Sequence, residues 1–432
     1  MEQRQLFGSS GIRDKVSREL LQLMLRVGAS VGSSYCPVVL GYDTRTSSEA
    51  MKHSLISGLL AAGSKVYDAG IIPTPTLGYA ARNFAAAVMI TASHNPPEYN
   101  GVKLLNPDGS AFDSGQQNQI ELVIQRDSLE LAPWHEMEKC LPFNMAVEEH
   151  VSRILEDFDN ELRLKVVIDC GCGAASLVSP YLLERLGCEI IAINCYPSGF
   201  FPRGIEPVPE NLTYLIDIVR AVKADIGMAY DGDGDRIVVI DEKGRVIPGD
   251  KLLIIFAREL GAKRVVTTQE ASMIIDEAGF EVTRTKVGDP FVSVALKGGG
   301  DFGGEPSGCW FFPKLSLCPD AIHATAWTVK IASETKLSSL VDNIPSYPIL
   351  RGSVPAEKTI MAKVEERLVS STNPPLVIKI DGIRLTFEDG WLLIRPSGTE
   401  LKIRVTAEAR SQQRVKELYN WGIQAIKDCS RE

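Results

Sequence analysis

The sequence lacks several patterns that would place it in a specialised class. No run of about 18 apolar residues occurs, so no stretch is long enough to cross a bilayer as a helix. The start, MEQRQLFGSS, has neither the basic residues nor the apolar core of a secretory signal. The nine cysteines show neither paired zinc spacing nor a disulfide framework. We therefore expect a cytoplasmic protein with reduced thiols and no contact with a membrane.

The chain also lacks an excess of basic residues. Lys and Arg number 46 against 55 Asp and Glu, which gives a formal net charge of −9. Nucleic acids select basic surfaces, so this balance argues against a nucleic-acid partner. An anionic ligand must then be attracted by local cations, for which the candidates are Arg13, Arg45, Lys103, Arg395 and Arg404.

Alternating strand and helix patterns predict the architecture. The 432 residues, 44% of them apolar, allow three or four domains of ordinary size. Three successive units carry short apolar strands separated by helical patterns, which predicts parallel, doubly wound sheets of related topology. The last unit has strands joined by Asp-Gly hairpins, which indicates an α+β domain. We expect α/β domains over 1–140, 141–243 and 244–347, and an α+β domain over 348–432.

The strongest chemical signal is an acidic turn in the middle of the chain. Asp231, Asp233 and Asp235 alternate with glycines after the apolar run 226–229. Three converging carboxylates repel one another unless a hard cation lies between them, and glycines let the backbone curl enough for them to converge. The alternative is a polar hairpin turn, because Asp-Gly pairs are common turn formers. We favour a Mg²⁺ site.

A serine lies at the end of another apolar strand. The segment AAAVMITASHN, residues 85–95, is stopped by two prolines. Reactive groups of open α/β sheets collect at the carboxyl ends of strands, where Ser93 lies. Adjacent residues on an extended chain point to opposite faces, so His94 is not automatically the base of a hydrolytic pair, and the Gly-x-Ser-x-Gly motif is absent. Ser93 is therefore a candidate nucleophile, with a polar turn as the alternative.

A third segment near the end of the chain suits an anion. Arg395 offers a planar fork of donors, and Ser397 and Thr399 offer hydroxyls. Gly398 lets backbone N–H groups approach an anion closely. The segment predicts a phosphate cradle, unless its basic residues are only a solvated face.

A fourth segment, KGGGDFGGEPSG at 297–308, is rich in glycine. Its glycines suit close approach to a ligand, and Glu305 and Ser307 offer hydrogen-bonding groups to sugar hydroxyls. Alone, a glycine-rich loop is weak evidence of binding.

In this order and at these separations, the four segments resemble the active-site motifs of the α-D-phosphohexomutase superfamily. The resemblance covers essentially the whole chain and extends to FGSSGIR at 7–13 and GYDTR at 41–45. It implies four domains around a central cleft. The TASHNP and GEPSG motifs are most similar to the archaeal phosphoglucosamine mutase branch. The implied reaction interconverts glucosamine 6-phosphate and glucosamine 1-phosphate through a phosphoserine and a 1,6-bisphosphate intermediate.

The resemblance also assigns the site residues. One Mg²⁺ per chain would be held by Ser93, Asp231, Asp233 and Asp235. Ser93 would carry the phosphoryl group, helped by Arg13 and by Lys103 and His94 as first and second candidates for acid–base work. Substrate binding is expected from Arg236, Gly288, Asp289, Glu305, Ser307, Arg395, Ser397, Gly398, Thr399 and Arg404. The expected partners are hexose phosphates, with a hexose 1,6-bisphosphate as activator.

Three residues depart from the family pattern. Cys309 stands where many relatives have histidine, Pro290 where many have a basic residue, and Leu401 where proline is usual. The first removes an acid–base candidate, and the second puts one substrate contact in doubt. The alternatives left open are a phosphoglucomutase or phosphomannomutase with the same machinery, a sugar-phosphate binding protein without turnover, and a phosphatase.

Overall fold

A computed structural model describes residues 6–8, 10–126, 131–158, 161–371, 376–397 and 401–431. Within these ranges the chain forms four β-sheets of six, four, four and five strands, with helices packed against them. None of the helices in the described ranges is long and apolar enough to cross a membrane.

The first sheet is built from the N-terminal third of the chain. Its elements are β1 (Ile12–Lys15), α1 (Arg18–Ser34), β2 (Val38–Tyr42), α2 (Ser48–Ala61), β3 (Val66–Ile71), α3 (Thr74–Ala80), β4 (Ala86–Ile90), β5 (Tyr99–Leu105), α4 (Ser114–Arg126) and β6 (Cys140–Pro142). The strand order is β1-β5-β4-β2-β3-β6. Val38 and Leu40 pack into one apolar cluster with α1 and α2, and Val39 packs into another with α3. The sheet is therefore covered on both faces, as expected for a doubly wound unit.

Two further sheets follow the same plan. The second unit has α5 (Ala146–Leu155), β7 (Lys165–Asp169), α6 (Ser179–Arg185), β8 (Glu189–Ile193), α7 (Thr213–Val222), β9 (Ile226–Tyr230) and β10 (Ile237–Ile240). The third has α8 (Gly249–Glu259), β11 (Arg264–Thr268), β12 (Glu281–Thr285), α9 (Asp289–Lys297), β13 (Phe302–Glu305), β14 (Cys309–Phe311), α10 (Ala321–Glu334) and α11 (Leu337–Asp342). Their strand orders are β10-β9-β7-β8 and β12-β11-β13-β14.

The three sheets are not wholly parallel, in contrast to the sequence prediction. Strand β5 runs antiparallel to both β1 and β4. Strands β10 and β14 are antiparallel edge strands that pair with β9 and β13. Strands β5, β10 and β14 follow β4, β9 and β13 through short connections, which reverse the chain and carry Ser93, the three aspartates and Ser307.

The last unit is an antiparallel sheet with helices. Its elements are β15 (Ile349–Pro355), α12 (Met361–Ser371), β16 (Leu376–Ile378), β17 (Ile383–Phe387), β18 (Gly390–Pro396), β19 (Lys402–Ala409) and α13 (Gln412–Cys429), with strand order β15-β19-β18-β17-β16. Residues of α12 and α13 pack with the inward side chains of the strands in one cluster. The predicted fold class, three α/β units and a C-terminal α+β unit, is confirmed.

One buried histidine connects the first three units. Nδ1 of His150 in α5 lies 3.1 Å from Oγ1 of Thr76 in α3. Nε2 of the same ring lies 2.9 Å from Asp320, which caps the N-terminus of α10. All three side chains are buried, so this ring is a fixed junction.

Candidate active site

Ser93 lies in a tight turn just beyond β4. Its backbone is left-handed, with φ of 50°, and its N–H donates to Thr91 Oγ1 at 2.8 Å. The Arg45 guanidinium donates to the carbonyl oxygens of Ser93 and Asn95 at 2.8 and 2.7 Å and pairs with Asp43 at 3.0 Å. Arg45, expected among the cations that attract the substrate, is buried and instead holds this turn.

The acidic turn joins β9 to β10. Asp231, Asp233 and Asp235 are buried, and they bring carboxylate oxygens within 4.8 Å of one another. Burial and then repulsion from neighbouring carboxylates raise the pKa of Asp231 and Asp235. Oδ1 of Asp233 and Oδ1 of Asp235 are buried without a hydrogen-bond partner among the described residues. A cluster of carboxylate oxygens, two of which accept no hydrogen bond from the described residues, fits the ligand preference of Mg²⁺.

The acidic turn and the serine turn are in direct contact. Ser93 Oγ donates to Asp231 Oδ2 at 3.0 Å. A Cβ at Gly232 would lie 2.8 Å from the Ser93 carbonyl oxygen, so only glycine permits this approach of the two backbones. Two loops from different domains thus meet at the candidate nucleophile.

Lys103 in β5 supplies a cation to the same centre. Its Nζ lies 2.7 Å from Asp233 Oδ2 and 2.6 Å from Asp235 Oδ2. Burial opposes the charge on Lys103, but these two carboxylates outweigh burial and raise the pKa of the lysine. Burial likewise opposes the charge on Asp233, but Lys103 outweighs it and lowers the pKa of that carboxyl. Lys103 is therefore protonated at neutral pH.

His94 and Arg13 flank Ser93. The Nδ1 atom of His94 lies 3.3 Å from Ser93 Oγ. Burial, and then the charges of Arg236 and Arg13, lower the pKa of His94 to about 3, so its imidazole is neutral. Arg13 Nη1 donates to Asn95 Oδ1 at 3.1 Å, beside the serine turn.

The predicted sugar loop comes together around Glu305 at the end of β13. Glu305 accepts hydrogen bonds from the Gly288 N–H at 3.0 Å and from Ser307 Oγ at 3.2 Å. Burial, and then the charge of Asp289, raise the pKa of Glu305 to about 7. Asp289 in turn accepts a hydrogen bond from Ser10 Oγ, which ties this loop to the first domain.

Arg236 connects the acidic turn to the sugar loop. Its Nε lies 3.9 Å from Asp235 Oδ1, and its backbone forms a β-bridge with Cys309. Cys309 is buried, and burial raises the pKa of its thiol well above the ordinary value. As expected from the sequence, this position supplies no acid–base group near neutral pH.

The predicted cradle lies at the end of β18. Arg395 is paired in register with Arg404 of the neighbouring strand β19. Ser397 is buried just beyond β18. Gly398 and Thr399 lie outside the described residues. The described part of the cradle therefore brings two arginines and one hydroxyl to one end of the sheet.

Known protein families match this chain domain by domain, in the same order as these loops. Phosphoglucomutase/phosphomannomutase models match residues 4–130, 148–244 and 248–347 as α/β/α domains I, II and III, and 350–420 as the C-terminal domain. A probable phosphoglucosamine mutase of Methanosarcina acetivorans is 45% identical over 433 residues, covering 98% of this chain and 99% of the relative. The chain belongs to the phosphoglucomutase/phosphomannomutase family.

Two other members of this family are similar over nearly the full length. A phosphoglucosamine mutase of Methanocaldococcus jannaschii is 40% identical, with 98% of each chain covered. The crystal structure of a phosphoglucomutase/phosphomannomutase family protein from Burkholderia thailandensis has a TM-score of 0.89 at 27% identity, covering 99% of this chain and 98% of that one. The superfamily resemblance is confirmed, and the protein is an enzyme of the phosphohexomutase class.

Sequence reasoning missed several residues that build the site of this family member. Thr74 donates to Asp233 Oδ2 at 2.6 Å, and Arg203 donates to the Tyr230 carbonyl at 2.6 Å, beneath the acidic turn. Glu270 contacts Arg395. It follows the carboxyl end of β11, and the rule that functional groups collect at such ends was the one signal that pointed to it.

Proposed function

We propose that this protein interconverts glucosamine 6-phosphate and glucosamine 1-phosphate through a phosphoserine at Ser93 and a glucosamine 1,6-bisphosphate intermediate. The observation that carries the proposal is the 3.0 Å contact of Ser93 Oγ with Asp231, because it sets a serine against a carboxylate cluster in which two buried oxygens accept no hydrogen bond from the described residues. The amino sugar is supported by the relatives at 45% and 40% identity, which are described as phosphoglucosamine mutases.

The acidic turn is the proposed Mg²⁺ site. Asp231, Asp233 and Asp235 would hold the ion together with an oxygen on Ser93. Bound there, Mg²⁺ would neutralise the phosphoserine, which carries roughly two negative charges, and the charge that develops during transfer. Lys103 and Arg13 add fixed positive charge at the same place.

In the first half-reaction, the bond from phosphorus to Ser93 Oγ breaks and a bond from phosphorus to the sugar O1 forms. The proton of the O1 hydroxyl needs an acceptor. The sequence favours Lys103, but its raised pKa suits it to be a cation and not a base. The oxygen that takes up this proton is Ser93 Oγ, released from phosphorus, and we assign its relay to the neutral imidazole of His94, 3.3 Å from Ser93 Oγ.

In the second half-reaction, the bisphosphate has turned around, the bond from phosphorus to O6 breaks, a bond from phosphorus to Ser93 Oγ forms, and the proton of the serine hydroxyl passes to O6. This step regenerates the phosphoserine and leaves glucosamine 1-phosphate. Positioning supplies most of the rate enhancement, because a loose phosphoryl-transfer transition state needs little help from proton transfer.

The remaining residues hold the substrate in both orientations. Glu305 and Ser307 are proposed to bond the sugar hydroxyls, beside Arg236, Gly288 and Asp289. The phosphate that is not reacting is assigned to Arg395, Ser397, Gly398, Thr399 and Arg404. We retain 1–140, 141–243, 244–347 and 348–432 as the domains, each with one loop at the site. A hexose 1,6-bisphosphate is the proposed activator, because it can return a phosphoryl group to Ser93.

A substrate assay tests the proposal. The purified protein, supplied with Mg²⁺ and a hexose 1,6-bisphosphate, is given the 6-phosphates and 1-phosphates of glucosamine, glucose and mannose. We expect the highest kcat/KM with the glucosamine phosphates. Negligible turnover of these together with turnover of glucose or mannose phosphates rejects the amino sugar. Release of inorganic phosphate without isomerisation indicates a phosphatase. If the substrates are not turned over and intact-mass spectra show no phosphate on Ser93, the protein is a binding protein.

A further inference from the structure

The guanidinium of Arg395 is paired with a carboxylate of another domain. Its Nε lies 2.6 Å from Oε1 of Glu270, and its Nη2 contacts the same oxygen. On the other side, Nη1 lies 4.0 Å from Asp381 Oδ2. The Arg395 side chain is 11% exposed and that of Glu270 is 29% exposed. The Nε and Nη2 atoms of Arg395 therefore already bind an anion, the Glu270 carboxylate, in a place partly shielded from solvent.

From this geometry we propose that Glu270 is a positioning residue that competes with the substrate phosphate for Arg395. It holds the guanidinium when no phosphate is bound to it and gives way to phosphate in each half-reaction. The inference rests on the proposed function, in which Arg395 binds the phosphate that is not reacting.

The chemistry of the two anions supports an exchange. Carboxylate and phosphate can each accept two parallel N–H hydrogen bonds from arginine. The Nε and Nη2 groups of one guanidinium cannot donate full-strength hydrogen bonds to both anions at once. A shielded guanidinium without an anion has a high free energy. If no other anion could replace the phosphate, Arg395 would therefore hold it tightly and release it slowly. The proposed cycle requires one phosphate to leave the cradle and another to enter. Glu270 would stabilise Arg395 in the interval and so speed the exchange.

The backbone around Glu270 is fixed, so that the exchange needs only its side chain to rotate. Arg384, which is buried, donates to the carbonyl oxygens of the residues on both sides of Glu270. Glu408 accepts hydrogen bonds from Ser272 Oγ at 2.5 Å and from the Met273 N–H at 2.8 Å. These contacts keep the fourth domain docked on the segment that carries Glu270, independently of the pair with Arg395.

Glu270→Gln keeps the shape of the side chain and removes its charge. We expect it to lower both the KM for glucosamine 6-phosphate and kcat by roughly three- to tenfold, because the phosphate binds more tightly and leaves more slowly. The dissociation constant of inorganic phosphate, measured by calorimetry, should fall by a similar factor. Glu270→Asp retains the charge and should lie between Glu270→Gln and the original protein.

Glu277 provides a matched control. Its carboxylate also joins the third and fourth domains, 2.7 Å from Arg410 Nη2, and among the described residues it forms no hydrogen bond or ion pair with Arg395. We expect Glu277→Gln to leave phosphate affinity, KM and kcat unchanged. If both glutamine variants shift these constants equally, the effect belongs to domain docking and the inference is wrong.

Arg395→Gln separates the inference from the proposed function. This variant should weaken phosphate binding at least tenfold in the same titration, roughly the loss of one charge-assisted contact. If it does and Glu270→Gln leaves the phosphate affinity unchanged or weakens it, only the role of Glu270 is overturned. If Arg395→Gln has no effect, both the cradle and the exchange are overturned. The titration needs no turnover, so it decides the role of Glu270 even if no hexose phosphate is isomerised.

Discussion

The two ends of the candidate site are held by different kinds of contact. Around Ser93 and the acidic turn, the side chains are buried, and the backbone of Ser93 accepts a hydrogen bond from Arg45 and donates one to Thr91 Oγ1. At the cradle, Arg395 is held by a side-chain ion pair that remains partly open to solvent. The end proposed for transfer is rigid, whereas the end proposed for capture is exchangeable.

This difference matches what each end must do in the proposed cycle. Phosphoryl transfer requires the reacting atoms to be aligned within a narrow range, so rigidity at Ser93 increases the rate. Capture requires a phosphate to be bound and released in each turnover, so a replaceable partner at Arg395 suits it. The following predictions test this contrast.

The largest effect is expected at the nucleophile. Ser93→Ala removes the oxygen that carries the phosphoryl group and should lower kcat by at least about a thousandfold. Isomerisation is followed by ³¹P NMR. Ser64→Ala is the control, because Ser64 is also a buried serine of the first domain, donating to the Tyr35 carbonyl at 3.0 Å, outside the site. A Ser93→Ala protein with normal turnover would disprove the covalent route.

A smaller loss is expected when the acidic turn is altered. Asp235→Asn removes one charge from the proposed Mg²⁺ site and should lower kcat by at least about a hundredfold and weaken Mg²⁺ binding. Chelation with EDTA should abolish activity, and added Mg²⁺ should restore it. Asp276 is exposed and forms an ion pair with Arg284, so Asp276→Asn should change neither kcat nor Mg²⁺ binding. Activity that survives chelation contradicts a metal role.

Lys103 should show opposite effects on rate and metal affinity. Lys103→Met removes a cation from the transfer centre and should lower kcat by about ten- to a hundredfold. Because the lysine contacts Asp233 and Asp235 at 2.7 and 2.6 Å, its loss should also strengthen Mg²⁺ binding in calorimetry. Weaker Mg²⁺ binding in this variant would show that the lysine organises the site and does not compete with the ion.

Glu305 should control the pH dependence of substrate capture. Its pKa of about 7 means that kcat/KM should rise as pH increases through about 7, since the ionised carboxylate accepts more hydrogen bonds from the sugar. Glu305→Gln should lose this dependence and lower kcat/KM by about tenfold. Ionisation of the substrate phosphate is common to both proteins and cancels in the comparison. An unchanged profile would remove Glu305 from sugar recognition.

The smallest effect is expected at Cys309. The thiol is buried and its pKa is well above the ordinary value, so Cys309→Ser should change kcat/KM by less than about threefold. Iodoacetamide at neutral pH should not react at this position, as peptide mass mapping can check. A large loss of activity in the serine variant would show that Cys309 takes part in catalysis, a role that its buried position does not indicate.

The sequence predicted the elements that depend on local pattern. Strands β11 and β17 are examples, since each is a short strand-like run beside turn residues, which is a local signal. Helix α10 has no such local signal, because it is buried on most of its surface and lacks the polar face that produces a helical period. The antiparallel strands β5, β10 and β14 were not expected, because the choice of a strand's partner depends on tertiary packing.

The site followed the same division. Ser93, the three aspartates and Glu305 lie in short motifs, so residue types and spacing made them candidates, and the resemblance to the superfamily assigned their roles. Thr74 and Asp233 are 159 residues apart, and Glu270 and Arg395 are 125 residues apart. Arg45 looked like a substrate-binding cation, since sequence gives its charge but not its burial. Partners brought together by folding leave no local pattern.

The junction at His150 limits how this chain can be divided. One ring with partners on Thr76 and Asp320 needs three sequence regions to be present at once. A fragment that ends before residue 320 would leave a buried imidazole without its carboxylate, at a cost comparable to an unpaired buried polar group. The first three units are therefore poor candidates for expression as separate pieces or for exchange one at a time between relatives, although each has its own sheet.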